Sequence, residues 1–227
     1  MSTSGYGWGK RVLALYQKEL RSELRTRYAL NSLILFAVVS LTAVSLAVGQ
    51  FALSIRIKAS FFWVVLFFSA MSGLAQIFIK EEESNTGYML KLAASPGLIY
   101  TAKLLYNFTL LLALEVAIVP LFSIFLGLNL ENFGLFLAVT FLGSAALASA
   151  TTIIGAIVSK ATVKSALFAV LSFPLLIPVL VMGMEGTYLA AGGARLAEAR
   201  GQLVFLLSYT VVLITVSLNL FEFVWSE

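Results

Sequence analysis

The sequence predicts an all-α polytopic membrane protein: six transmembrane helices preceded by an N-terminal amphipathic helix at the membrane interface. Three observations carry that prediction. Hydrophobic residues make up 60% of the 227 and charged residues 11%, with a mean hydropathy of +0.99, which leaves too little polar surface for a soluble domain of this length. Several apolar stretches reach the roughly 20 residues that a helix needs to cross the hydrocarbon. Lys and Arg are distributed unevenly about those stretches, as they are in membrane proteins of fixed orientation. The chain reads as a single transmembrane domain over 1–227.

Residues 1–28 form its polar start, without the apolar core and small-residue cleavage site of a signal peptide. Within them, 10–28 is periodic as a helix. Leu13, Tyr16, Leu20, Leu24 and Tyr28 fall on one apolar stripe. Arg11, Lys18, Arg21 and Arg25 line one flank of that stripe, and Glu19 and Glu23 the other. An apolar face bordered by basic residues lies in the headgroup layer. The simpler reading makes this helix a basic anchor for the first span. A second reading adds a docking surface for a cytoplasmic partner, because the membrane has no use for the acidic flank.

The spans follow at about 29–50, 60–79, 104–128, 133–158, 163–183 and 203–224. A polar turn, Asn129 to Asn132, separates the third from the fourth, and a short loop with Lys160 and Lys164 joins the fourth to the fifth. With this threading, eleven basic residues lie on one side: Lys10, Arg11, Lys18, Arg21, Arg25, Arg27, Lys80, Lys91, Lys103, Lys160 and Lys164. Four lie on the other, namely Arg56, Lys58, Arg195 and Arg200. The excess predicts that both termini are cytoplasmic, in a multi-pass protein of the cell membrane.

The segment between the second and third spans, 80–103, is too long and too apolar for a solvated turn. Glu81, Glu82 and Glu83 form an acidic cluster, Tyr88, Leu90 and Leu92 are apolar anchors for a groove, and Ser95-Pro96-Gly97 breaks the element. A short cytoplasmic helix of this kind suits a membrane subunit that receives force from an ATPase; the plainer reading is an interfacial loop helix with no partner.

The run from Glu81 through Gly87, Leu90, Ser95-Pro96 and Tyr100 to Lys103 resembles the coupling segment of the CcmB family, the permeases of the cytochrome c maturation ABC transporter. The stretch Lys18-Glu19-Leu20-Arg21-Ser22-Glu23-Leu24-Arg25 is similar to that family's amphipathic N-terminal helix, and Phe173-Pro174-Leu175-Leu176-Ile177-Pro178 to its fifth span. The resemblance implies an ABC-2-exporter-like permease in the bacterial inner membrane, acting as a homodimer with a CcmA-like ATPase, CcmC- and CcmD-like membrane subunits and the haem chaperone CcmE. It also implies that ATP and haem are held by those partners, with no cofactor bound directly here. Under it, Glu81, Glu82, Glu83, Gly87, Tyr88 and Leu90 couple to the ATPase.

Residue chemistry narrows the alternatives. The chain has no Cys and no His, which removes thiolate chemistry, the commonest general base and the usual haem ligand; Met and Tyr would be the remaining iron ligands. No Walker A pattern occurs: Gly9-Lys10 lacks the upstream Gly and the following Ser or Thr. ATP hydrolysis is therefore expected on another chain, with no catalytic or metal-ligating residue and no nucleic-acid partner for this one. A secondary transporter would show inverted repeats, and none joins 29–128 to 133–224. An intramembrane enzyme lacks paired carboxylates in the spans. A non-transporting scaffold of a maturation complex stays open.

Glu115, near the middle of the third span, is the only acidic residue well inside a span, with no Lys or Arg at comparable depth. Its two readings are a protonated carboxyl bonded to a Ser or Thr of a neighbouring helix, and a role in gating or a substrate path. Ser144, Ala148, Thr152 and Ala156, four residues apart on the fourth span, form a small-residue face for close packing within the subunit or across a dimer. Pro174 and Pro178 loosen the fifth. Met182 to Gln202 reads as a Gly/Ala-rich external segment that dips back as a short re-entrant helix pair.

Overall fold

The computed structural model describes residues 7–49, 53–74, 77–78, 81, 87–159, 161 and 164–226, and the side chains of all of these except 87, 88, 164–166, 169 and 226. Among them are eight helices: α1 (Trp8–Thr26), α2 (Tyr28–Val48), α3 (Ile55–Gly73), α4 (Gly87–Ala93), α5 (Pro96–Leu126), α6 (Phe133–Ser159), α7 (Lys164–Ala191) and α8 (Arg200–Ser226). Six of them, α2, α3 and α5 to α8, are long and apolar enough to cross a membrane, so the chain is an all-helical polytopic membrane protein.

The most apolar-packed helix is α6, which lies against α5, α7 and α8. Its spanning window is 61% buried, against 17% for α2 and 22% for α8, so α6 forms the axis and those two border the lipid. The small-residue face makes this possible: Ser144, Ala148, Thr152 and Ala156 are all buried. Helices α2 and α3 pack together, with α3 on α7 and α2 on α5. One apolar core runs through the whole bundle.

Element boundaries have local causes. Arg27 adopts φ 53°, a left-handed conformation that separates α1 from α2 and lets the chain change direction at the membrane. Ser95 and Pro96 divide α4 from α5, with Pro96 in the first turn of α5 where its missing N–H costs nothing. Gly127, at φ 61°, ends α5 in the left-handed cap that glycine favours, its N–H bonded to Ser123 O at 3.1 Å.

Two expectations need correction. The third span belongs to a longer helix than expected, because α5 starts at Pro96 and runs unbroken to Leu126. No re-entrant pair occupies 182–202: α7 continues to Ala191, with turns only over 192–199 before α8. Gly183 and Gly186, which suggested a loop, let helices approach instead, and Thr187 and Ala190 are fully buried.

Candidate functional site

At the end of the bundle that carries both termini, α1 crosses the start of α5 and closes a charged node. Lys103 of α5 is 1% exposed, and its Nζ lies 2.8 Å from Glu81 Oε2 and 3.6 Å from Glu19 Oε1. It also donates to the Ile77 carbonyl at 3.4 Å and sits 4.7 Å from the Phe78 ring centroid. Lys18, on the rim, donates to Glu19 Oε1 at 3.0 Å and Glu81 Oε1 at 3.1 Å. Burial works against the Lys18 charge, but Glu19 and Glu81 more than offset it and hold its pKa above the ordinary value. A buried lysine survives here because two carboxylates from two different segments surround it.

One turn further along α1, Glu23 is 7% exposed. Its Oε1 accepts the Leu30 N–H at 2.8 Å, capping the first turn of α2, and its Oε2 accepts the Tyr106 hydroxyl at 3.0 Å. Tyr16 and Thr109 share a hydroxyl hydrogen bond at 3.1 Å, and Val12 packs on Leu98 and Ala102. Helix α1 is thus fastened to α5 along its length. Its acidic flank is not a free docking surface, as one reading of the sequence had it, because Glu19 and Glu23 turn into the bundle toward partners that α5 supplies. The apolar stripe divides: Leu13, Leu24 and Tyr28 are exposed, Tyr16 and Leu20 half-buried.

The segment after the second span is placed in part. Glu82 and Glu83 lie outside the described residues. Gly87 opens α4 and Tyr88 follows it in the helix. Two members of the expected docking set face inward: Glu81 is 8% exposed within the node, and Leu90 is 9% exposed against the core. Met89 at 74% and Leu92 at 90% are the large apolar residues that α4 presents outward among the described side chains. Arg21 and Arg25 are exposed on α1. Between α1 and α4 lies a cavity of about 430 Å³, lined by Lys18, Glu19, Glu23, Glu81, Tyr28 and Met89 among others.

Within the membrane, Ser144 of α6 donates to Glu115 Oε1, so the lone carboxyl finds its hydroxyl partner on a neighbouring helix. Two turns away, Asn107 Nδ2 donates to Thr152 Oγ1 at 2.8 Å. Both contacts join α5 to the small-residue face of α6. Glu115→Gln should therefore leave thermal stability in detergent close to wild type, since the amide oxygen still accepts from Ser144. Glu115→Leu should cost about 1–3 kcal/mol by orphaning that hydroxyl; equal stability of the two variants would contradict this.

At the opposite end, Arg56 of α3 meets Glu185 of α7 through two bonds, at 2.7 and 3.4 Å, with its guanidinium 4.3 Å from the Tyr188 ring centroid. Lys58 Nζ donates to the Gly127 carbonyl at 2.8 Å. Arg56 and Lys58, counted only as topology charges in the sequence, thus latch the outer helix ends. Lys103, Tyr106 and Asn107 carried a legible signal, since polar residues three and four apart on an apolar helix mark an inward-facing stripe.

A family model described as CcmB protein matches residues 10–223. No curated protein matches the chain.

Proposed function

We propose that this chain, which belongs to the CcmB family and is thus a membrane permease component of the cytochrome c maturation system, receives force from a separate ATPase through α4 and the charged node. The end of the bundle with both termini is then cytoplasmic, a side that the basic-residue excess supports, and the membrane is the bacterial inner membrane. Two copies pair with two CcmA-like ATPase subunits beside CcmC- and CcmD-like subunits, and the strokes serve haem handling and release of the chaperone CcmE on the far side. ATP and haem stay on those partners.

One observation carries this reading: α4 stands outside the spans, offers Leu92 outward, and is anchored beneath by the buried Leu90. Exposed apolar residues on a short helix are the anchors of a small interface. Glu82 and Glu83 add charge for orientation, and Tyr88 an aromatic anchor. A push on α4 reaches α1 and α5 together because Glu81 bridges Lys18 and Lys103. Leu92→Asp should lower co-purification of the ATPase and its stimulated hydrolysis about tenfold while the solubilised protein stays monodisperse. Reversal of Glu82 and Glu83 to Lys, and Tyr88→Ala, should act in the same direction. Wild-type partner binding in all three variants would remove α4 as the coupling element.

A further inference from the structure

We infer that the cavity between α1 and α4 binds a phospholipid whose headgroup carries a primary ammonium, phosphatidylethanolamine. The first ground is charge. The cavity wall holds three carboxylates, Glu19, Glu23 and Glu81, and one ammonium, Lys18. Glu19 and Glu81 are matched by Lys18 and Lys103. Glu23, 7% exposed, forms no ion pair among the described residues. Its two hydrogen bonds, from the Leu30 N–H and the Tyr106 hydroxyl, leave lone pairs on both oxygens. A buried carboxylate without a cation is costly, and a cation entering the cavity would relieve that cost.

The second ground is depth. From Leu126 back to Tyr106, α5 rises roughly 30 Å, the thickness of the hydrocarbon core. Tyr106, and with it Glu23, therefore sits where acyl chains give way to headgroups. Tyr28, the first residue of the first span, stands at the same boundary. The third ground is the mouth. Tyr28 at 58% and Met89 at 74% exposure both line the cavity and face outward, with Leu24 at 62% on the neighbouring turn of α1. An apolar mouth at the headgroup level admits the glycerol end of a lipid, while a hydrated basic side chain from the cytoplasm would enter from the opposite direction.

The chemistry then selects among headgroups. An ethanolamine ammonium donates hydrogen bonds to Glu23 and Glu19, and its phosphate meets Lys18, whose side chain is 53% exposed at the rim. A choline headgroup has no N–H to donate, and a glycerol headgroup brings no cation to Glu23.

The test exchanges the purified full chain through nanodiscs of equal parts phosphatidylethanolamine, phosphatidylcholine and phosphatidylglycerol. Lipid retained after mild detergent extraction is counted by native mass spectrometry. Retention of phosphatidylethanolamine about tenfold above the other two is expected. Met89→Trp, which fills the mouth from an exposed position, should abolish the preference, and Glu23→Gln should do so through lost charge. Equal retention of the three lipids by the wild type overturns the inference, as does a preference that survives Met89→Trp. So does a photoreactive group at residue 89 that captures a partner protein and no lipid.

Discussion

Gly143→Ala and Gly183→Ala are each expected to destabilise the bundle by about 1–3 kcal/mol, the cost of forcing extra volume into a filled core. Trp63 is fully buried, and its indole lies close against both positions, so a Cβ at either would overlap ring atoms. The ring cannot swing away freely, because its Nε1 donates to Thr187 Oγ1 at 2.8 Å and its edge meets Phe62. Three spans meet at this one side chain: α3 supplies it, α6 brings Gly143 and α7 brings Gly183. If that fit is the cause, Trp63→Phe should cost stability in the wild-type background yet recover part of the loss in Gly143→Ala. A coupling of about 0.5–3 kcal/mol between the two sites is the expected outcome of the double-mutant cycle. Thermal unfolding in detergent reads it. Strict additivity, or a Gly143→Ala protein as stable as wild type, would show that the indole is not clamped as described.

The same residue explains what the sequence hid. All six spans were visible as apolar runs, because hydropathy is a property of the segment itself. The end of the fifth was not, because Gly183 and Gly186 look like loop residues until Trp63 and Val139 are placed beside them. Small residues carry two opposite meanings, permissive backbone and close approach, and only the partner distinguishes them. The carboxylates behave alike. A hydroxyl partner for Glu115 was predictable as a class from the absence of any cation at its depth, and Ser144 supplies it. For α1, helical periodicity identified an amphipathic helix, yet Val12 rather than the expected stripe is its buried apolar residue, and the inward turn of Glu19 and Glu23 depends on Lys103 and Tyr106, some eighty residues away in the chain. Local pattern contains no trace of that pairing.

The node also sets apart two classes of charge in α1. Arg21 and Arg25 are exposed and suited to anionic headgroups, so either can be replaced with little effect on the fold. Glu19 and Glu23 are structural, one tying α1 to α5 and the other joining α1 to both α5 and the first turn of α2. A helix that only floated in the interface would need the first class alone. The second makes α1 a part of the bundle that moves with α5.

Lys103→Met is the substitution expected to undo that attachment. Methionine keeps most of the aliphatic stem and the contact with Phe78, so packing changes little and the charge is what is lost. Glu81 and Glu19, at 11% and 15% side-chain exposure, would then lose the ammonium buried between them and keep Lys18 on the rim. Removing one member of a buried ion group costs about 3–5 kcal/mol, because the other is left buried and unmatched. The chain escapes that cost locally by releasing α1 from α5. Cysteines at Tyr16 and Thr109, which face each other across α1 and α5, report the release as a fall in cross-linking by a bifunctional thiol reagent that spans the space of the lost tyrosine ring. Trypsin cleavage after Arg21 and Arg25 should rise in parallel. Lys18→Met, on the exposed rim, should change neither by much, since screened pairs contribute little. Adding Glu81→Gln to Lys103→Met should restore much of the cross-link, because the carboxylate that Lys103 faced loses its charge along with it. If the double variant also regains ATPase stimulation, the node serves only to hold α1 in place; if attachment returns without stimulation, the Glu81–Lys103 pair itself transmits the stroke. Cross-linking in Lys103→Met no lower than in Lys18→Met would mean that the node does not fasten α1 at all.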